Sequence, residues 1–187
     1  GTHSDGLRRF APDGRPIAAL EGELPKGIVN SLSRGRDGTL WVATGGGLRH
    51  VRGGRVVAPE AGLLPLASTY VTAVVEDGAG TLWIGTAGAG LARWAEGRLS
   101  FLGPGDGIGE VVYSLYLDRA GALWVGTNGA GACRLRDGSF TTYSTREGLS
   151  REYAYTVFED AAGRIWAGTA GGLHRLEEAG FVTASLP

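Results

Sequence analysis

The amino-acid sequence predicts an all-β fold, a β-propeller of four-stranded antiparallel blades, and three observations carry that expectation. A short phrase returns four times, as GTLWVAT at Gly38 to Thr44, GTLWIGT at Gly80 to Thr86, GALWVGT at Gly121 to Thr127 and GRIWAGT at Gly163 to Thr169. Its tryptophans, Trp41, Trp83, Trp124 and Trp166, stand 42, 41 and 42 residues apart. Between the beats, short runs rich in β-branched and aromatic residues alternate with Gly- and Asp-containing turns, the pattern of strands joined by hairpins. A unit of that length cannot bury an apolar face alone, so it must stack on its neighbours.

The second full unit shows the strands in order. Val71 to Glu76 (VTAVVE) is a strand, Asp77-Gly78-Ala79-Gly80 a turn, and Thr81 to Thr86 (TLWIGT) a second strand. Ala87 to Gly90 is a small-residue loop, Leu91 to Ala95 (LARWA) a third strand, Glu96-Gly97 a hairpin turn and Arg98 to Leu102 (RLSFL) a fourth. Four short antiparallel strands with tight turns make one propeller blade. Third strands recur at Leu7 to Phe10, Leu48 to Arg52, Ala132 to Arg136 and Leu173 to Glu177. Fourth strands recur near Arg15 to Leu20, Arg55 to Ala58, Ser139 to Tyr143 and Gly180 to Ala184. Asp118 and Asp160 open the first turn as Asp77 does, whereas the first copy has Gly35 there, followed by Arg36-Asp37.

The expected organisation is one partial propeller of about 4.5 blades. An outer half blade covers 1–27, and four blades cover 28–69, 70–110, 111–152 and 153–187. Second halves therefore outnumber first halves, and a propeller ordinarily removes its sheet edges by closing the ring. The sequence is thus expected to be a piece of a larger ring, processed or excised, or to close by self-association. It contains no methionine.

Composition narrows the function. Glycine contributes 34 of 187 residues, but at fixed repeat positions in a chain that is 43% apolar, which argues against disorder. The net charge is −1, from 18 basic and 19 acidic side chains, well mixed along the chain. That distribution excludes a nucleic-acid footprint and a basic anchor for acidic lipid. All but Lys26 of the basic residues are arginine, a bias attributable to coding composition. Cys133 is alone, so no disulfide framework and no all-cysteine metal site can form, and its place inside the repeat suits a small buried residue. No apolar run is long enough to span a bilayer, no leader pattern precedes the repeats, and no membrane contact is expected.

The pattern [DG]-x-x-G-x-[LI]-W-[VIA]-[GA]-T-x-x-G-[GA]-[LA]-x-R closely resembles the two-component regulator propeller repeat. It is carried by Gly80 to Arg93, Gly121 to Arg134 and Gly163 to Arg175, more loosely by Gly38 to Arg49, and by Gly1 to Arg8 in its second half. Gly62-Leu63, Gly107-Ile108 and Gly148-Leu149 repeat the linker of that family, with Gly22 to Leu24 an altered form. Departures are Gly35 for Asp and Ala132 for the usual Leu. The resemblance implies the periplasmic sensor region of hybrid histidine kinases, a binding module for glycans or other small molecules with no cofactor and no catalysis. Two rivals stand beside it. One is a propeller lyase of the streptogramin-inactivating type, which has similar repeats; the other is a purely structural set of blades that completes its ring by assembly.

Trp41, Trp83, Trp124 and Trp166, with Asp77, Asp118 and Asp160, read as structural residues of the repeat, the indoles packing between blades. Trp94 has no aromatic counterpart in the other units and reads as rim packing or the wall of a crevice. Tyr70, Tyr113, Tyr153 and Tyr155 cluster at the start of first strands, where a propeller opens its channel to the longer loops. With Glu110, Arg151, Glu152 and Asn128 they form the candidate ligand mouth, which competes with plain packing near the channel. His3, His50 and His174 lack metal-ligand spacing and are expected at the surface or at strand edges. No P-loop, dinucleotide fingerprint, nucleophile elbow or carboxylate pair is present.

Overall fold

The computed structural model describes residues 7, 8, 10–15, 17, 24 and 28–184. Among the described residues sixteen strands form four antiparallel sheets, each of four strands in chain order. The first sheet holds β1 (Val29–Arg34), β2 (Leu40–Thr44), β3 (Gly47–Arg52) and β4 (Arg55–Val57). The second holds β5 (Val71–Glu76), β6 (Leu82–Thr86), β7 (Leu91–Ala95) and β8 (Arg98–Leu102). In the third are β9 (Val112–Leu117), β10 (Leu123–Thr127), β11 (Ala132–Arg136) and β12 (Ser139–Tyr143). The fourth has β13 (Ala154–Glu159), β14 (Ile165–Thr169), β15 (Gly172–Glu177) and β16 (Gly180–Thr183). The leading strands meet in order, β1 on β5, β5 on β9 and β9 on β13, so the sheets are blades set around a common inner edge. The outer hairpin expected over 1–27 lies largely outside the described residues.

Three apolar clusters fill the three seams. Ala43 and Leu48 meet Val74, Leu82 and Ile84 in the first, and Trp83 and Leu91 meet Leu123, Val125 and Cys133 in the second. In the third, Trp124 and Ala132 meet Ala154, Val157 and Phe181. The linkers add apolar plugs to the seams: Leu63 and Leu66 in the first, Ile108 in the second and Leu149 in the third are all buried there. The glycines before Ile108 and Leu149 are not interchangeable with other residues. Gly107 and Gly148 close 3₁₀ turns at φ 80° and 95°, a region that disfavours a Cβ. A Cβ on Gly148 would also run into the Phe181 carbonyl.

The tryptophans all point the same way round the array. Trp83 and Trp124 are 6% and 1% exposed against the following blade, and half-buried Trp41 packs on the seam between the first and second. On the fourth blade the equivalent side has Trp166 stacked on Phe158 at 6.4 Å, with Phe158 38% exposed. Each indole N–H in the last three blades donates to the aspartate that opens its own turn: Trp83 to Asp77 (2.9 Å), Trp124 to Asp118 (2.9 Å) and Trp166 to Asp160 (2.8 Å). The same carboxylates accept backbone amides of the turn, as in Thr81 to Asp77 and Ala122 to Asp118.

Candidate functional site

Every leading strand breaks register once, near its first residue. The slip falls between Val29 and Ser31, Val71 and Ala73, Val112 and Ser114, and Ala154 and Thr156. The skipped residues are Asn30, Thr72, Tyr113 and Tyr155. A bulge leaves its extra residue outside the ladder and re-aims the side chain. Here it turns that side chain toward the next blade. Asn30 donates to the Val71 carbonyl (2.7 Å) and Thr72 to the Val112 carbonyl (2.6 Å). Tyr113 instead meets the ring of Tyr155, centroids 5.1 Å apart at 56°. Asn30 and Thr72 were not among the expected site residues; the repeated small residue two places after the strand opens (Ser31, Ala73, Ser114, Thr156) is the signal that aligns them.

The remaining expected residues gather around this row with different roles. Tyr153 and Asn128 are paired as an isolated antiparallel bridge between the third and fourth blades. Glu110 and Glu152 fasten neighbouring loops through their backbone: Glu110 accepts from Gly88 and Gly90, and Glu152 from Gly129 and Gly131, all within 3.0 Å. Their side chains, with that of Arg151, are exposed. Glu110 and Asn128 also line a cavity of about 560 Å³, with Ile108 and Thr142 in its wall. Tyr70 stands apart from the Tyr113–Tyr155 pair and packs over the β2–β3 turn, where a Cβ on Gly45 would come 3.2 Å from its ring. The arrangement offers aromatic faces, an amide and three exposed charges at the inner rim, and among the described residues no cluster suited to a metal ion.

The two described histidines correct the surface expectation. His174 is fully buried, in the position that Ala92 and Cys133 take in the preceding blades. Its Nε2 lies 2.9 Å from the Ser150 hydroxyl and 3.2 Å from that of Thr169, and its Nδ1 3.4 Å from the Thr183 hydroxyl. That ring of hydroxyls is why an imidazole can occupy a seam. Burial pushes its pKa below the ordinary value, so the neutral form is held. His50 is buried too, edge-on to Trp41 at 5.3 Å, and burial likewise lowers its pKa. His3 lies outside the described residues. Neither described histidine stands in the row of bulged residues.

Among the described residues no helix is long and apolar enough to cross a membrane. A comparison with curated proteins gives no match. Solved structures share the fold. The extracellular domain described as that of the one-component system BT4673 of B. thetaiotaomicron aligns with a TM-score of 0.75 at 18% identity, over 100% of this chain and 29% of that one. The domain from the hybrid two-component system BT3049 of the same organism gives 0.69 at 23%, over 90% and 25%. Virginiamycin B lyase from Staphylococcus aureus, in its inactive H270A form with quinupristin, gives 0.70 at 17%, over 96% and 63%. The chain thus spans under a third of the length of these extracellular domains. The model for the two-component regulator propeller matches residues 23–46, 65–88, 106–129 and 148–171, just over half the chain and one stretch for each complete blade. The chain belongs to the two-component regulator propeller family.

Proposed function

We propose that these blades are a non-catalytic, extracytoplasmic ligand-sensing module of a two-component system, binding a glycan or other small molecule at the inner rim. The observation that carries the reading is the row of bulged residues on the leading strands, whose last two members are the Tyr113–Tyr155 ring pair. Aromatic faces with hydroxyl tips suit sugar rings, which present apolar C–H faces and polar edges. Family membership and the fold shared with extracellular domains support the placement outside the cytoplasm. The lyase alternative needs an acid/base histidine at the channel mouth; His174 is caged by hydroxyls in a seam and His50 is buried against Trp41.

The test is a glycan array followed by calorimetry on the wild type and on Tyr113→Ala/Tyr155→Ala. The double variant is expected to lose binding by about tenfold or more while keeping its melting temperature within a few degrees. Unchanged affinity overturns the site. A streptogramin-cleaving activity, abolished by His174→Ala, would replace the sensor reading with the enzyme one.

The partner proposed with this reading is a further blade of the same repeat, seated on the Trp166–Phe158 side of the fourth sheet. Support comes from the other three blades, whose equivalent tryptophans are each met by a neighbour. Native mass spectrometry distinguishes its source, since a discrete oligomer puts that blade on a second copy. A monomer in which hydroxyl radicals label Phe158 and Trp166 overturns the contact for this chain.

A further inference from the structure

The first blade departs from the repeat at two positions that flank the same tryptophan. Gly35 replaces the aspartate that takes the indole proton in the other three blades. On the neighbouring strand His50 pairs with Trp41, where arginine pairs with tryptophan at Arg93, Arg134 and Arg175. Asp37 recovers part of the lost turn by accepting the Thr39 amide, but its other oxygen is taken by Arg52 (2.7 Å) and the Thr39 hydroxyl (2.9 Å). Trp41 Nε1 and His50 Nδ1 are therefore buried with no hydrogen-bond partner. A buried donor left unpaired is destabilising, so the site is under pressure to find an acceptor.

The neighbouring blade supplies the rest. A Cβ on Gly35 would lie 2.6 Å from Glu76 Oε2, 3.3 Å from Trp41 Nε1 and 3.4 Å from Asp37 Oδ1, so one donor and two acceptors converge on the same notch. Trp41, Asp37 and Glu76 also line an adjoining cavity of about 560 Å³, walled besides by Trp94, Glu60, Thr39 and Arg36. The corresponding cavity at the next seam, about 470 Å³, has Leu117 where Glu76 stands and Leu135 where Trp94 stands. Only the first of these two seams combines an indole face, a carboxylate and an unpaired N–H.

We infer that the cavity between the first and second blades binds a neutral polyhydroxylated molecule, a sugar or polyol, through a hydroxyl set between Trp41 and Glu76. A hydroxyl is the group that can accept from Trp41 Nε1 and donate to Glu76 at once. A cation would face the indole proton and two guanidiniums, and an anion would face Asp37, Glu60 and Glu76. The Trp94 indole supplies an apolar wall for the ring, and the cavity lies within the usual range for small ligands, about 300–1,000 Å³. This seam is separate from the Tyr113–Tyr155 rim and does not depend on it.

Gly35→Asp tests the inference, because it refills the notch with the group the other blades carry there. The aspartate is compatible with the seam: Asp118 coexists with Glu159, the counterpart of Glu76, which turns to the Arg119 amide (2.8 Å). The probes are glucose, maltose and sorbitol, read by tryptophan fluorescence and calorimetry. The wild type is expected to bind at least one of them saturably. Gly35→Asp and the near-isosteric Glu76→Gln should each weaken that binding about tenfold, while Tyr113→Ala/Tyr155→Ala leaves it unchanged. Two results overturn the inference: no saturable response to any probe in the folded wild type, or a response that Gly35→Asp leaves intact.

Discussion

Each tryptophan of the last three blades depends on a carboxylate six residues earlier in the chain, and that dependence can be measured. Asp118→Ala strands the buried Trp124 N–H and the Ala122 amide, at an expected cost of about 1–3 kcal/mol in denaturant titration. At Asp160 burial raises the carboxyl pKa, but hydrogen bonds from the Trp166 indole, the Arg164 amide and guanidinium and the Ala162 amide outweigh it and hold the group well below its usual range. The folded state then binds fewer protons than the unfolded one. Stability from Asp160 is present above the unfolded pKa near ~4 and is lost as the pH falls through the lower folded value. Asp160→Asn should accordingly be less stable than wild type at neutral pH, with the gap closing in acid melts. Cys133, buried and raised to about 11 by desolvation that a Thr142 hydrogen bond only partly offsets, should resist thiol reagents until the protein unfolds. The letters Asp-x-x-Gly-x-[LI]-Trp were readable in the sequence; the bond between the first and the last was not. It forms because the turn folds the aspartate back beside a strand residue, a contact that spacing alone does not disclose.

Strand limits agree closely with alternation and turns: β5, β7, β8, β11 and β12 occupy the residues that the sequence marked. What alternation hid were the bulges. A single skipped residue reverses the faces of the rest of its strand, so Tyr113 and Tyr155 could be placed near the channel but not aimed. The linkers were also opaque, since Gly-Leu pairs mark a turn without saying that the leucine is a plug. Leu149 is 3% exposed beneath the third seam, and Leu149→Ala should cost about 2–4 kcal/mol with a matching fall in melting temperature. His50 and His174 were misplaced for a related reason. What surrounds a histidine is set by the fold: Ser150 of the preceding linker and Thr183 across the strand pair ring His174, and the Trp41 ring covers His50.

At the scale of the whole molecule, blades contact only their neighbours, so protection should fall toward the ends of the array. In hydrogen exchange β6 and β10, buried along their whole length, should exchange last, and β14, whose blade has one uncovered side, well before them. The uniform direction of the tryptophans has a consequence for symmetry. Front and back of a blade are different surfaces, so a two-fold axis across the open face would press Trp166 against its own mate and leave both without a partner surface. Every addition must proceed head to tail. The rotation from one blade to the next then decides whether the series shuts on itself or winds on without end. A small change in seam packing, at Gly35 or at a linker leucine, is therefore a change in handedness and pitch as much as in stability.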